Sequence, residues 1–358
     1  MNIAASKLTE IAASIPTPEA RYYEQAQAHL NNLTKPPGSL GRLEAIAAQM
    51  IAIRSGSIHL PLRKGVYVFA ADHGIASEGV SAYPKEVTAQ MVRNFLSGGA
   101  AINVLARLHG ADLTVIDVGV DAEFAEAPAL YRAKLRSGSR NFLRESAMTD
   151  DELSAALEVG FTMVRNAEEK DHSLVAAGEM GIGNTTSASA ITAMLTSAAV
   201  EDVTGRGTGL DDARRDNKRK LIEQALDLHF HGSNDIHPLE ILRCVGGLEI
   251  AAMVGFYLGA ARARMAIVCD GFISTSAAAL ACAIAPQVKP YLLAGHCSEE
   301  PGHRHLLHYL GISPILSLGM RLGEGTGAVL AMPIVESALR IYGEMATFAS
   351  AGVSGAKP

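Results

Sequence analysis

The chain has 358 residues, of which 48% are hydrophobic and 19% are charged, and it contains no tryptophan. This composition is typical of a soluble globular enzyme, and the length predicts about two domains or one large domain with an appendage. The net charge of −6 and the isoelectric point near 6.1 provide no basic field for nucleic acid or for an anionic membrane surface.

The N-terminus and the alanine-rich stretches carry no targeting or membrane signal. No run of about seven apolar residues follows a basic start, so no signal peptide is expected. Polar residues interrupt the alanine-rich stretches well before the roughly 18 positions that a membrane span needs. We therefore expect a cytoplasmic protein that binds neither membranes nor nucleic acid.

The start of the chain is predicted to be helical and is a candidate small domain. Leu8–Ser14 and Arg21–Leu33 are rich in alanine, glutamine and leucine, and two prolines separate them. A Pro-Pro-Gly sequence then stops the second helix, and Ser39 is the expected N-cap of a third helix over Leu40–Arg54. No strand is predicted before Val66.

Six apolar runs from Val66 onward have the length and continuity of strands that are buried on both faces of a parallel sheet. Each run ends in glycine and polar residues, and a helical stretch follows it. This alternation predicts an α/β fold with a doubly wound, mostly parallel sheet and a ligand site along its carboxyl edge. The runs are Val66–Ala70, Leu113–Ile116, Leu174–Ala177, Met265–Cys269, Tyr291–Ala294 and Ile315–Leu318.

Three loops at this edge carry candidate chemistry. Residues 72–90 form a long loop that is either one wall of a flat pocket or an ordinary surface loop. Gly178–Ser187 opens a helix, where free backbone N–H groups together with Thr and Ser hydroxyls bind anions well. It resembles the dinucleotide motif G-x-G-x-x-G only loosely. Val203–Gly209 is either a second glycine loop for a ligand or a flexible turn before a charged helix.

The stretch Pro314–Gly327 has the layout of a strand, a loop at the carboxyl edge and the start of a helix. Its single acid, Glu324, lies between two glycines. Because neither neighbour has a Cβ, a ligand can approach the carboxylate closely. The alternative is a surface turn with a solvated glutamate.

The cysteines and histidines do not form a clean metal-binding pattern. Cys244, Cys269, Cys282 and Cys297 lack a C-x-x-C pairing and are typical of reduced core thiols. Residues 296–308 are the richest in His, Cys and Glu, but zinc sites generally have cleaner spacings. We predict a polar loop that leads into a helix here, with no metal and no cofactor.

Several motifs occur together and in a specific order. They are Lys35–Glu44, Asp72–Val80, Gly178–Thr186, Asp216–Lys218, Val245–Gly247, Asp270–Phe272 and Arg321–Gly327. With this set the chain resembles the nicotinate-nucleotide–dimethylbenzimidazole phosphoribosyltransferase family over nearly its full length. The resemblance implies transfer of phosphoribose from nicotinate mononucleotide to 5,6-dimethylbenzimidazole. The products are nicotinate and α-ribazole 5′-phosphate, which is used for the cobalamin nucleotide loop.

The resemblance also implies a domain organisation and an assembly. A large Rossmann-like domain spans residues 61–332, and a small helical domain is built from both chain ends, residues 1–60 and 333–358. The family forms homodimers, and we expect one here with the Pro36–Arg42 loop directed toward the neighbouring active site. Apolar residues of the helical start are expected to need a partner surface. They are Leu8, Ile11, Leu43 and Ile46. The resemblance assigns no role to residues 296–308.

The family's catalytic base aligns with Glu324, and the chemistry needs only one base. The pyridinium of nicotinate mononucleotide leaves as a neutral ring nitrogen and needs no general acid. The incoming benzimidazole must lose its ring N–H proton, and a carboxylate within hydrogen-bond reach can take it. Glu179 is a supporting candidate, because its negative charge would stabilise cationic character at the ribose.

The remaining candidates divide between the phosphate and the aromatic base. The phosphate and nucleotide candidates, which combine backbone N–H groups with one lysine ammonium that could instead be a solvated helix charge, are Gly181, Asn184, Thr185, Gly205, Gly207 and Lys218. The candidates for the flat base pocket are Tyr83, Gln90, Met91, Met180 and Leu322.

Two other interpretations remain open at this point. One is another nucleotide-dependent Rossmann enzyme, such as a dehydrogenase or a methyltransferase, and the lack of a clean dinucleotide motif counts against it. The other is a non-catalytic nucleotide-binding module that kept the phosphate loops, and the intact Glu324 counts against it.

Overall fold

The structure is a computed structural model that describes residues 3–57, 59–124, 129–233 and 235–354. Some residues of the predicted small domain, Met1, Asn2, Ile58 and 355–358, lie outside the described residues.

A seven-stranded, all-parallel sheet forms the centre of the described chain, and helices cover both of its sides. The strands are β1 (Lys64–Ala71), β2 (Ala111–Gly119), β3 (Leu130–Arg132), β4 (Leu174–Met180), β5 (Ala266–Cys269), β6 (Leu292–His296) and β7 (Pro314–Leu316). The predicted α/β fold and the positions of all six predicted strands are confirmed. The sequence prediction missed β3, a three-residue edge strand with two exposed side chains, because so short a segment has no apolar run.

The helices alternate with the strands along the chain. They are α1 (Ile3–Ser14), α2 (Ala20–Asn31), α3 (Arg42–Ile53), α4 (Glu86–Ser97), α5 (Ala101–His109), α6 (Asp150–Glu169), α7 (Asn184–Thr196), α8 (Val200–Val203), α9 (Asp212–Phe230), α10 (Pro238–Val245), α11 (Leu248–Arg262), α12 (Phe272–Ile284), α13 (Pro301–Leu310), α14 (Thr326–Glu344) and α15 (Phe348–Ala351). None of the helices in the described ranges combines the length and the apolar character that crossing a bilayer requires.

The strand order β3-β2-β1-β4-β5-β6-β7 positions the ligand site. The chain adds β2 on one side of β1 and then crosses to add β4 on the other side. In an open α/β sheet, such a change of direction leaves a crevice outside the carboxyl ends of the two strands. The crevice between β1 and β4 is therefore the first place to look for a ligand.

Strand β7 departs from the predicted pattern. The run Ile315–Leu318 was expected to be buried on both faces, but β7 lies at the edge of the sheet and its residues are only half-buried. Leu318 is exposed beyond its end. The expectation of a fully buried strand is wrong here, because an edge strand has a neighbour on one side only.

The start of α3 also differs from the prediction. The helix begins at Arg42 with Gly41 as its N-cap, so Ser39 as the N-cap is wrong. The Glu44 carboxylate accepts hydrogen bonds from the Lys35 ammonium, at 2.7 Å, and from the Leu40 backbone N–H, at 3.0 Å. These bonds hold the preceding residues in turns and delay the first helical residue.

The two chain ends meet in space. The backbone of Leu33 pairs with that of Thr347, and the Phe348 N–H donates to the Asn32 carbonyl at 3.0 Å. Helix α14 continues through Pro333, so the expected boundary between residues 332 and 333 falls within a helix. The division into residues 1–60 with 333–358 and 61–332 stays a prediction.

The apolar side chains that were expected to need a partner surface are largely covered within the chain itself. Leu8, Ile11 and Ile46 are buried in the core, and Leu43 packs against it. Helix α1 packs against α11, and α3 packs against α2 and α14. The inference that these residues need a second subunit is therefore wrong.

Candidate active site

A cleft of about 460 Å³ lies at the carboxyl edge of the sheet. The term cleft refers to it from here on. Its lining comes from segments that follow the strands and from the loop before α9. The lining residues are Tyr83, Glu179, Met180, Gly181, Ile182, Asn184, Thr185, Gly207, Thr208, Gly271, Phe272, Ile273, Ser298, Glu300, Arg321, Leu322 and Gly323. Six segments from different parts of the chain thus converge on one place.

A larger cavity of about 910 Å³ lies at the opposite edge of the sheet, where Lys64, Ser173 and Met265 mark the amino ends of the strands. Open α/β sheets bind their ligands outside the carboxyl ends of the strands. The glycine loops and the buried acids described below also lie at the carboxyl edge. We therefore place the site in the cleft and not in the larger cavity.

Most candidates from the sequence line the cleft, and five do not. Those in the lining are Tyr83, Glu179, Met180, Gly181, Asn184, Thr185, Gly207 and Leu322. Glu324 and Lys218 lie immediately behind it, and Gly205 packs against Glu300. Gln90 is exposed on α4, and Met91 packs partly buried against the core. The sequence analysis missed Ser298 and Glu300, although both lie in the segment 296–308 that it had singled out.

Glu324 lies in an unusual backbone turn. The φ angles of Gly323, Glu324 and Gly325 are 84°, 65° and 87°, so three successive residues occupy the left-handed region. A side chain in this region costs about 1–2 kcal/mol, which the surroundings must offset. Asp270 does so, because its two carboxylate oxygens accept the Gly325 N–H at 3.0 Å and the Ala328 N–H at 2.9 Å. The same bonds cap the start of α14.

The Glu324 carboxyl group is buried, and its pKa is close to neutral pH. Its side chain is 5% exposed, and Oε2 has no hydrogen-bond partner among the described residues. Burial raises the pKa of Glu324 to about 7, and the nearby negative charge of Asp270 contributes to the shift. A proton acceptor is most effective when its pKa is close to the working pH. An unpartnered oxygen with this pKa is suited to accept a proton from a ligand.

Glu179 lies beside Glu324 at the end of β4. The Asn184 side-chain amide donates to Glu179 Oε2, and a Cβ on Gly323 would overlap Oε1. Burial raises the pKa of Glu179 to about 8. The hydrogen bond from Asn184 opposes this rise, whereas the negative charges of Glu249 and of two other nearby acids add to it. Glu179 is therefore mainly protonated at pH 7, whereas Glu324 is partly ionised.

Lys218 provides a buried cation at the other side of the cleft. It is fully buried, and its ammonium donates to the Thr185 hydroxyl at 2.7 Å. A Cβ on Gly207 would lie 3.4 Å from the ammonium and 2.9 Å from that hydroxyl, so the glycine keeps the approach open. Burial lowers the pKa of Lys218 to about 8, which leaves it mostly charged at pH 7.

The start of α7 adds backbone donors to this side. Its N-cap, Gly183, has a φ of 98° and provides no side-chain cap. Uncapped N–H groups at a helix start attract anions. Together with Lys218 and Thr185, they make this side of the cleft suited to bind an anion, and the anion site that the sequence predicted for Gly178–Ser187 stays a prediction.

A buried hydrogen-bonded network supports this loop from below. His73 Nε2 lies 2.6 Å from Glu249 Oε1, and His73 Nδ1 lies 3.2 Å from the Ser187 hydroxyl. Ser187 also donates to the Gly246 carbonyl at 3.1 Å. The network connects the end of β1 with the starts of α7 and α11 and so fixes the loop between β4 and α7.

Residues 296–308 form a loop followed by α13, as predicted. Within the described ranges, no group of three or more His, Cys, Asp and Glu side chains is arranged to hold a metal ion. All four cysteines are free thiols, and Cys244, Cys269 and Cys282 are buried.

Replacing Gly178 by alanine should displace the Glu324 turn. A Cβ at residue 178 would overlap the backbone of Glu324, which cannot rotate away as a side chain would. We expect a loss of about 1–3 kcal/mol in the free energy of unfolding, together with a large loss of activity. Chemical denaturation measures the first and turnover the second. Gly343→Ala is the matched control, since a Cβ there meets nothing within 4 Å and should stabilise α14 by about 0.4–1 kcal/mol. Equal stability of both variants would contradict the close approach.

Comparisons with known proteins identify the family to which the chain is similar. A family model described as a phosphoribosyltransferase matches residues 15–353. Two curated relatives, from Geobacter metallireducens and Geobacter sulfurreducens, are 49% and 50% identical over 97% of this chain and 98% of their own length. Both are named nicotinate-nucleotide–dimethylbenzimidazole phosphoribosyltransferase. The crystal structure of the enzyme of that name from Thermus thermophilus superimposes with a TM-score of 0.89 at 45% identity. The superposition covers 94% of this chain and 100% of that one.

Proposed function

The chain belongs to the nicotinate-nucleotide–dimethylbenzimidazole phosphoribosyltransferase family, and we propose that the cleft is where it carries out the transfer. The enzyme moves phosphoribose from nicotinate mononucleotide to 5,6-dimethylbenzimidazole and releases nicotinate and α-ribazole 5′-phosphate. The observation that carries the placement is a buried, unpartnered carboxylate oxygen of Glu324 at one side of the cleft, with the buried Lys218 ammonium at the other.

The phosphate of nicotinate mononucleotide binds on the Lys218 side. Lys218 supplies a point charge, Thr185 a hydroxyl, and Gly207 open space for the phosphate oxygens. The start of α7 adds N–H donors. Arg321 donates to the Gly207 carbonyl at 2.9 Å and holds this loop in place. The phosphate therefore anchors the nucleotide, so that the rest of the ligand extends along the cleft.

The aromatic base binds near the mouth of the cleft. Tyr83 and Leu322 line it with side chains that are 56% and 55% exposed, and Met180 lines the same cleft. Large apolar side chains that stay exposed in a cleft are suited to cover a flat aromatic ligand. Gln90 and Met91 remain candidates only if the α4 segment moves when the base binds.

The bond that breaks joins ribose C1′ to the pyridinium nitrogen, and both electrons of that bond leave with nicotinate. The bond that forms joins C1′ to the lone-pair nitrogen of dimethylbenzimidazole. The second ring nitrogen then carries an acidic proton, which Glu324 Oε2 accepts. A single base balances the reaction, because the leaving ring is neutral once it departs.

Glu179 has a supporting role in this scheme. Burial favours the protonated form of Glu179. A positive pyridinium or a cationic ribose next to the carboxyl group favours its charged form instead. Glu179 then stabilises the positive charge at C1′ in the transition state. This reaction is favoured over that of a dehydrogenase or a methyltransferase, because the family match covers nearly the whole chain.

The direct test is product formation. Incubation of the protein with nicotinate mononucleotide and dimethylbenzimidazole should give α-ribazole phosphate and nicotinate in equal amounts, as measured by mass spectrometry. Omission of the benzimidazole is the control. Unchanged nicotinate mononucleotide in the complete mixture would contradict the proposal.

We propose that the enzyme is a cytoplasmic homodimer that acts on small molecules and not on nucleic acid. Val104 and Leu108 lie one turn apart on α5 and are 52% and 71% exposed, so this helix presents an apolar face that a second subunit would cover. Sedimentation at micromolar concentration should give twice the chain mass of 37.6 kDa. A fully active monomer would contradict the dimer.

A further inference from the structure

The segment 296–308 forms one wall of the cleft, and a buried histidine fixes it. The Ser298 N–H donates to His303 Nδ1 at 2.8 Å, and His303 Nε2 lies 2.9 Å from the Thr275 hydroxyl. Burial lowers the pKa of His303 to about 3, so the ring is neutral at physiological pH. Because Nδ1 accepts a hydrogen bond, the proton of the neutral ring is on Nε2. The histidine is thus a rigid support for the turn that carries Ser298 and Glu300.

The same turn is hydrogen-bonded to the loop that leads to Glu324, the proposed base. The Cys297 N–H donates to the Leu316 carbonyl at 2.8 Å, and the Glu299 N–H donates to the Met320 carbonyl at 3.0 Å. Both partners precede Glu324 in the chain. The turn and the Glu324 loop therefore form one unit, and side chains on the turn have defined positions relative to the reacting atoms.

Glu300 is the charged side chain that this turn places in the cleft wall. It is 6% exposed, and its Oε2 atom has no hydrogen-bond partner among the described residues. A Cβ on Gly205 would overlap this atom, so residue 205 must be glycine for the carboxylate to fit. Glu300 occupies the N-cap position of α13, but its side chain does not cap the helix. A buried acceptor without a donor is costly unless a ligand supplies one.

Glu300 lies near Lys218 without being bonded to it. The negative charge of Glu300 opposes the lowering of the Lys218 pKa that burial causes. The Lys218 ammonium nevertheless donates to Thr185 and not to the carboxylate. Gly205, where a Cβ would overlap Glu300, and Gly207, where a Cβ would lie 3.4 Å from the Lys218 ammonium, are two residues apart on one loop. A group held near Lys218 by its phosphate is therefore also close to Glu300.

The chemistry of the substrates limits what can donate to Glu300. The phosphate and the nicotinate carboxylate of nicotinate mononucleotide are acceptors at neutral pH, and its pyridinium nitrogen carries no hydrogen. The only remaining donors of this nucleotide are the 2′- and 3′-hydroxyls of the ribose. The ring N–H of dimethylbenzimidazole is already assigned to Glu324. A carboxylate also repels a phosphate, so it does not serve the anion site itself.

We propose that Glu300 accepts a hydrogen bond from a ribose hydroxyl of nicotinate mononucleotide and is the residue by which the enzyme selects ribose over deoxyribose. This inference rests on the proposed function of the cleft. It gives the segment 296–308 a role in substrate specificity, with His303 as the residue that positions Glu300.

The test compares nicotinate mononucleotide with its 2′-deoxy and 3′-deoxy analogues. Wild-type enzyme should prefer the ribonucleotide over at least one analogue by about 10²-fold or more in kcat/KM, since a site built around a hydroxyl rejects a ligand that lacks it. In Glu300→Ala, this preference should fall to within about tenfold. The analogue against which Glu300→Ala no longer discriminates identifies the ribose hydroxyl that Glu300 binds. Glu299→Ala is the matched control, because Glu299 is the exposed neighbour on the same turn, and it should keep the wild-type preference.

A purely structural role for Glu300 predicts a different result. Its removal would then lower kcat/KM for the ribonucleotide and the deoxy analogues by the same factor, and an unchanged preference would overturn the inference. Equal use of all three nucleotides by wild-type enzyme would overturn it as well. If the alanine variant does not fold, Glu300→Leu, which fills a similar volume and has no hydrogen-bond acceptor, provides the same ratio. Turnover of nicotinate mononucleotide by wild-type enzyme separately reports on the proposed function.

Discussion

Replacement of Glu324 by glutamine should lower kcat by about 10²–10⁴-fold, the usual contribution of a general base. The amide keeps the size of the side chain and can still form hydrogen bonds, but it has no basic oxygen. Both substrates should therefore bind to Glu324→Gln with nearly unchanged affinity. Steady-state turnover and calorimetric binding of each substrate measure the two effects separately.

The control for this variant is Glu299→Gln, which removes an exposed carboxylate from the same edge of the sheet. It should turn over at the wild-type rate. Circular dichroism checks that both variants are folded. Near-normal activity of a folded Glu324→Gln would exclude Glu324 as the base and would leave Glu179 as the next candidate.

Replacement of Lys218 by alanine should weaken the binding of nicotinate mononucleotide by about 1.5–3 kcal/mol, the value of a charge-assisted hydrogen bond. Binding of dimethylbenzimidazole should change little, because only the nucleotide carries a phosphate. Calorimetry with each ligand measures the difference. Lys218→Met retains an apolar stem in the buried site and should show the same selective loss, which separates the missing charge from a cavity.

The affinity for the nucleotide should also depend on pH through Lys218. The ammonium is charged below its pKa of about 8 and loses its charge as the pH rises through that value, so wild-type affinity should fall on the alkaline side. This fall should be absent in Lys218→Met. Lys220→Ala, an exposed lysine on the same helix, should behave as wild type. Unchanged nucleotide affinity in both Lys218 variants would remove this lysine from the site.

The sheet was predictable because a strand that is buried on both faces of a parallel sheet has a continuous run of apolar residues in the sequence. The run Val66–Ala70 lies within β1, whose residues from Gly65 to Ala71 are all buried. The exceptions are the two edge strands. Strand β3 is too short to form an apolar run, and β7 keeps its apolar residues although it lies at an edge.

Assembly could not be inferred from apolar residues alone. Leu8 and Ile11 were taken as a surface for a second subunit, but helix α1 packs against α11 of the same chain. A sequence shows that an apolar face must be covered, and it does not show whether the cover comes from the same chain or from another one.

The candidate site was predictable to the level of its loops but not of every side chain. Glycines flank Glu324 and mark it in the sequence, and the structure gives all three residues the left-handed backbone that explains them. Glu299 and Glu300 are adjacent and chemically identical, yet one is exposed and the other is 6% exposed in the cleft wall. Only the fold of the turn distinguishes them, because His303 and the Leu316–Met320 backbone set its orientation.

The decisive measurement for the base is the pH dependence of the single-turnover rate in wild-type enzyme, Glu324→Gln and Glu179→Gln. Only the ionised carboxylate accepts a proton, so the wild-type rate should fall as the pH is lowered through about 7, the pKa of Glu324. Glu179→Gln should keep this acid limb, whereas Glu324→Gln should be slow and should lack it. A Glu324→Gln variant with near-normal rates and an unchanged acid limb would contradict the assignment of Glu324 as the base.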